Sequence, residues 1–151
     1  MAAVKEGERV AAIAKDLEWY IADVDLADNI SDLGKAAKTI TDKASNTGIL
    51  LLTAGKKNLL ALAIVPESRK SVVSAKEILD AALTDFSVET KELPSGGVLG
   101  TVKADEEKNV FPIKVKDTAR ANASAFMQKK GCFGEDDSSD DEVAFGDDDT
   151  F

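Results

Sequence analysis

The stretch that decides the fold runs from Gly48 to Phe86. It reads Gly48-Ile49-Leu50-Leu51-Leu52-Thr53-Ala54-Gly55-Lys56-Lys57-Asn58, then Leu59-Leu60-Ala61-Leu62-Ala63-Ile64-Val65, then Pro66, then a run of helical period ending at Phe86. Two short apolar runs joined by a Gly-Lys-Lys-Asn turn predict a buried β-hairpin. Proline cannot donate to a strand ladder, so Pro66 suits a chain leaving the sheet. Beyond it Val72, Ala75, Leu79, Ala82 and Phe86 recur at helical spacing, with Ile78 and Leu83 beside them. That stripe predicts a helix laid on one face of the hairpin.

Further along, Ser87 to Leu93 reads as a returning strand, and Pro94-Ser95-Gly96-Gly97 as a turn in which glycine tolerates positive φ. Val98 to Lys103 and Val110 to Val115 are two more strand candidates, with the charged segment Ala104 to Asn109 as the hairpin loop between them. Pro112 would put the second of these at a sheet edge. The stretch from Gly96 to Val115 also reads as a diverged glycine loop. Asp117 then caps a helix whose buried face includes Ala119, Ala123 and Phe126, stopped by Gly131.

Upstream, Val10, Ile13, Leu17, Tyr20 and Val24 recur at spacings of three and four, which predicts an amphipathic helix. It either packs on its neighbour or forms a seam between two copies of the chain. A second set, Leu26, Ile30, Leu33, Ala37, Ile40 and Ala44, has a different phase. A break is therefore expected in Asp25 to Asn29, with Asp28 or Asn29 as N-cap, and the two helices as an antiparallel pair. The expected architecture is α/β: a helical pair over 1–46, then a small globular α/β domain over 47–133 with a mixed sheet covered by helices. A disordered acidic tail over 134–151 completes it.

The chain has 151 residues and no histidine. That absence removes serine and cysteine triads of the usual kind, the usual zinc hydrolase sites and DHH phosphoesterase chemistry, each of which needs imidazole as base or ligand. The lone Cys132 allows no internal disulfide and no structural zinc site, and no cofactor is implied. No run approaches the roughly 20 apolar residues that span a bilayer, and the N-terminus lacks a secretory pattern, so a cytoplasmic setting without membrane contact is expected. The net charge of −9 is concentrated in the tail. Nine acids follow Gly134 with no Lys or Arg among them; the other 19 acids match the 19 bases, leaving Met1 to Gly134 formally neutral. Such a tail repels itself and buries little apolar surface, hence the expectation of disorder. Phe145 and Phe151 within it are either anchors for a partner or spacers. Ser138 and Ser139 each have an acid three residues downstream, the spacing of acid-directed phosphorylation sites.

A strand, a turn, a strand ending in Val65-Pro66 and a helix carrying Ala75-Lys76 follow one another here. In that order the chain resembles the globular C-terminal domain of alanyl-tRNA synthetase, the C-Ala domain related to the DHH-associated domain. Asp117-Thr118-Ala119-Arg120-Ala121-Asn122-Ala123-Ser124-Ala125-Phe126 is similar to the family's Ala-rich closing helix. The likeness covers Val10 to Lys130 as an order of elements. It implies a non-catalytic domain of a larger alanine–tRNA ligase, a diverged eukaryotic cytoplasmic member, and a chain starting inside a helix is what a fragment of such a protein would show. The implied partners are tRNA for alanine, met at its elbow, and the remainder of the synthetase in cis, with the domain linking aminoacylation to editing. A homodimer through the N-terminal helices is the further partner considered.

Phosphate contacts from Lys and Arg, together with backbone approach by a Gly-rich loop, would carry such binding. The candidates are Gly96, Gly97, Lys103, Lys114, Lys116, Arg120, Lys129 and Lys130, with Lys114 and Lys116 expected on one strand face because they lie two apart. The family's long glycine run and Ala-Gln pair are reduced here to Gly96-Gly97 and Gly100. With a neutral body, that departure predicts weakened tRNA binding. The alternative is an interaction module whose acidic tail contacts basic proteins.

Overall fold

Ile49, Leu51, Leu60 and Leu62 point to one side of the hairpin, and Leu50, Leu52, Leu59, Ala61 and Ala63 to the other, and all nine are buried. Both faces of this ribbon therefore need cover. A computed structural model, which describes residues 2–84, 86–93 and 97–131, supplies it with helices on both sides of a mixed sheet. The hairpin itself is β2 (Gly48–Ala54) and β3 (Asn58–Ile64), antiparallel, turning where the Gly55 N–H donates to the Asn58 carbonyl at 2.9 Å.

Trp19–Asp23 forms β1, paired parallel to β2 in the register Trp19 to Gly48 and Asp23 to Leu52. On the far side β5 (Val98–Lys103) pairs antiparallel with β3, and β4 (Glu89–Glu92) pairs antiparallel with β5, giving the order β1-β2-β3-β5-β4. Strand β4 is Glu-Thr-Lys-Glu and exposed throughout, a charged edge that discourages pairing with other chains. The helices α1 (Ala2–Ala14) and α2 (Ile30–Lys43) cover the Ile49 face, and α3 (Ala75–Ala82) and α4 (Pro112–Lys129) cover the Leu50 face.

The expected helix through Val24 ends at Ala14 instead. Tyr20 and Val24 belong to β1 and the residue after it, while Ile13 and Leu17 are 45 % and 43 % exposed. Their three-and-four spacing mixed a helix with an aromatic-rich strand, in which Trp19 and Ile21 face one layer and Ala22 the other. A helical seam along that set is thus not formed. The Thr47 hydroxyl shares its proton between the carbonyls of Ala14 and Leu17, at 2.7 and 2.8 Å, and so closes the end of α1. The two N-terminal helices are also not antiparallel. Gly7 lies against Ala36 and Thr39, and Ala11 and Lys15 line a hollow with Lys43, so α1 and α2 run side by side in one direction. The intervening β1 reverses the chain between them. A Cβ on Gly7 would stand 2.7 Å from the Ala36 carbonyl oxygen, so the close crossing needs glycine there. Segment 1–46 consequently contributes a strand to the sheet as well as a helical layer on it.

The expected cap of α2 is formed, and α3 starts later than its stripe implies. Asn29 caps α2 by accepting the Asp32 N–H at 3.0 Å. Ser74 and Glu77 form a reciprocal capping box, so α3 begins at Ala75 and leaves Val72 outside it and 42 % exposed. The buried Thr53 hydroxyl accepts the Leu26 N–H and donates to the Ala27 carbonyl, which pins the β1–α2 connection to β2.

The expected strand over Val110 to Val115 is replaced by the start of α4. Pro112 stands at the first turn, where its missing N–H costs nothing, and Val115, Ala119, Ala123 and Met127 make one buried stripe four residues apart. Segment 104–109 is not a hairpin loop. It holds a short 3₁₀ turn (Glu106–Lys108) capped by Asp105 and closed by an Asp105–Val110 bridge, with Asn109 at φ 60°. Asp117 sits inside α4 rather than capping it; Phe111 precedes the helix with no side-chain cap. The tail 134–151, Cys132, Gly96 and both tail serines lie outside the described residues.

Glu6 ties α1 to the end of β1: its carboxylate accepts from Arg9 at 3.0 Å and from the Asp25 N–H at 2.9 Å, while Arg9 donates to the Asp23 carbonyl. The Arg9 bond first, then the Asp25 N–H, hold the Glu6 carboxyl below the usual glutamate range. A depressed folded-state value contributes stability above the unfolded value of about 4.3 that disappears as the pH falls through the folded one. Urea unfolding followed from pH 7 to pH 3 should therefore show a smaller acid loss of stability in Glu6→Gln than in the native chain. Equal losses would remove Glu6 from the account.

Candidate nucleic-acid interface

The fold distributes the candidate residues over several places. Gly97 sits beside the start of β5 and Lys103 at its end, roughly 20 Å away along a six-residue strand. Gly97 is buried: a Cβ there would stand 2.9 Å from Ile64, 3.0 Å from Leu62 and 3.2 Å from the Ala63 carbonyl oxygen, and its own carbonyl accepts the Leu93 N–H at 2.8 Å. The close approach that this glycine permits is to β3.

Lys114 and Lys116 do not share a face. Two residues along a helix turn the side chain through about 200°, so the strand-face pairing expected for them fails with the strand itself. Lys114 Nζ lies 5.5 Å from the centre of the Phe111 ring. Arg120 belongs to the flank of α4 that faces β1, where Nη1 donates to Asp23 Oδ2 at 2.8 Å. This ion pair couples the last helix to the edge strand through one N–H of a guanidinium that stays half exposed. The second Asp23 oxygen, Oδ1, is buried and has no hydrogen-bond partner among the described residues. Lys129 and Lys130 stand at the opposite end of α4 from Lys114, roughly 24 Å along the axis. Lys130 lies over Phe126 at 5.6 Å and helps keep the carboxyl of Glu77 low, chiefly the work of the Ser74 N–H.

What the fold does bring together is Lys103 and three lysines outside the candidate set. The β3–β5 register puts Asn58 opposite Lys103, so the β2–β3 turn residues Lys56 and Lys57 share a hollow with Lys103. Lys103 also borders a cleft of about 570 Å³ whose walls include Phe86, Val88, Val102 and Val110 and whose rim includes Lys108. Four lysines thus mark one end of the sheet. Acids are interleaved with them: Glu89 and Asp105 at the cleft and Glu106 at the hollow. Asp105 is engaged locally, accepting the N–H groups of Glu107 and Lys108. Nothing in the sequence signals this grouping, because it depends on a pairing between strands forty residues apart.

No protein-family model matches the chain, and no curated protein matches it. Among the described residues no group of three or more His, Cys, Asp or Glu is placed to hold a metal ion, and no helix is long and apolar enough to cross a membrane.

The placement of Arg120 separates structure from binding. Arg120→Ala should lower unfolding stability by up to about 1 kcal/mol, the scale of a partly exposed ion pair. It should leave RNA affinity unchanged in a filter-binding assay at low salt. A selective loss of RNA binding with stability intact would return Arg120 to the interface.

Proposed function

We propose that this chain is a non-catalytic accessory domain of the alanyl-tRNA synthetase C-terminal kind, with an attenuated hold on tRNA for alanine. The observation that carries the reading is the order of elements around the hairpin. A core strand, a lysine-bearing turn and a strand closing at Val65-Pro66 lead to a capped helix opening on Ala75-Lys76, with an Ala-rich helix closing the same face. A chain without histidine is suited to positioning a substrate for another domain rather than to acid–base chemistry of its own. The parent protein in this reading is a cytoplasmic alanine–tRNA ligase.

The dispersal of the candidate residues supports attenuation. Arg120 is paired with Asp23, Gly97 packs against β3, and the candidate lysines of α4 stand at its opposite ends. The residual contact surface is the four-lysine end of the sheet, Lys56, Lys57, Lys103 and Lys108, each exposed to solvent. A protein that neutralises few phosphates gains little from counterion release, so its complex is weak at physiological salt and its salt slope shallow.

Titration of the chain with tRNA for alanine across a salt series tests this. Four phosphate contacts predict a log–log slope near −3.6 on duplex RNA, with binding measurable at about 20 mM salt and lost by about 200 mM, and Lys103→Ala flattening the slope by about 0.9. No binding at the lowest salt would overturn the RNA reading. A slope steeper than about −7, with tight binding at 200 mM, would overturn attenuation.

A further inference from the structure

The cleft beside Lys103 is the feature that the reading above leaves unused. It opens between the segment leaving α3 and the turn entering α4. Phe86, Val88 and Val110 are each only partly buried there, with Val102 forming the floor. A recess of this size, about 570 Å³, lies within the range of cavities that hold a ligand group, and its lining is part apolar and part polar, with Phe86, Val88 and Val110 open to water. Lys103 and Lys108 stand at its rim, and Lys56 and Lys57 share the adjoining hollow with Lys103.

The same chain carries a segment of matching chemistry. Val143-Ala144-Phe145 is an apolar trio preceded by Asp140-Asp141-Glu142 and followed, after Gly146, by Asp147-Asp148-Asp149. From Gly131 at the end of α4 to Phe145 is fourteen residues, which reach up to about 46 Å when extended. The path back along α4 to its first turn, two residues after Val110, is roughly 27 Å. The tether is long enough. We propose that the Val143-Ala144-Phe145 segment docks in this cleft, with the Phe145 ring against Phe86, Val88 and Val110 and the flanking carboxylates meeting Lys103, Lys108, Lys56 and Lys57. Glu89 and Asp105 line the same recess and Glu106 the hollow, so the tail carboxylates are drawn to the four lysines against three opposing acids.

Docking stands on the cleft and the tail alone; its consequence for RNA rests on the function proposed above. A docked tail covers the lysines that remain for phosphate and so acts as an internal competitor. At a tethered effective concentration of about 1 mM and a segment Kd of about 0.1 mM, RNA affinity would fall about tenfold.

The experiment uses the full chain with Phe145→Ala, and with Phe151→Ala as the comparison, read by methyl NMR and by tRNA titration at low salt. Phe145→Ala should shift the methyl signals of Val88, Val102 and Val110 and tighten tRNA binding about tenfold, while Phe151→Ala changes neither. Unchanged valine methyls in Phe145→Ala would overturn docking. So would tRNA shifting those methyls in the native chain while Phe145→Ala leaves them silent, because the occupant would then be RNA. Methyl shifts in Phe145→Ala, with no tRNA binding by any form, would uphold docking and sink the RNA reading instead.

Discussion

The constraint on which this structure depends is that the hairpin of β2 and β3 is apolar on both faces. Leu50, Leu51, Leu52, Leu59, Leu60 and Leu62 are each at most 1 % exposed. Burying a leucine side chain is worth about 1.5–3 kcal/mol, so leaving either face wet would forfeit a large share of a small domain's stability. Two helical layers are therefore required, and the chain supplies one before the hairpin and one after it. The order of the other elements follows from closing those layers: β1 carries the chain between α1 and α2, and β5 carries it from the α3 layer back towards α4.

The surface chemistry is a by-product of that closure. Pairing β3 with β5 places Lys103 beside the β2–β3 turn and so gathers lysines at one end of the sheet. Laying α4 across β2 and β3 brings Arg120 to Asp23 on the edge strand, so one of the candidate phosphate ligands becomes a tie between elements. Gly97 is likewise consumed by the approach of its strand to β3. Packing engages two groups, Arg120 and Gly97, that a nucleic-acid reader would want free. What is left is an end of the sheet with lysines and acids mixed, beside an open apolar recess.

How much of this could be read beforehand depends on the range of the signal. The hairpin, the Asn29 cap and the span of β5 are local, and their residues declare them. Strand β1 was hidden because Tyr20 and Val24 fall by chance into phase with α1. Only pairing with β2, across an intervening helix, distinguishes Trp19–Asp23 from more helix. Pro112 was read as an edge-strand proline although it serves equally as the first residue of a helix; the stripe of Val115, Ala119, Ala123 and Met127 was the signal that decides between them. The candidate site was less legible than the fold. Lys103 was found for its charge, but Lys56, Lys57 and Lys108 gain meaning only from strand register, and Arg120 loses its meaning only when Asp23 is in place.

Native-state hydrogen exchange at Val24 tests most directly the claim that the whole fold hangs on the doubly covered hairpin. The Val24 N–H donates to the Leu52 carbonyl at 2.9 Å, joining the N-terminal segment to the core ribbon. If the account holds, Val24, the α2 amides and the β2–β3 amides open with one common free energy, that of global unfolding. If Val24 and the α2 amides exchange through a separate opening several kcal/mol cheaper while β2 and β3 stay protected, the first 46 residues are an independent unit and the account is wrong.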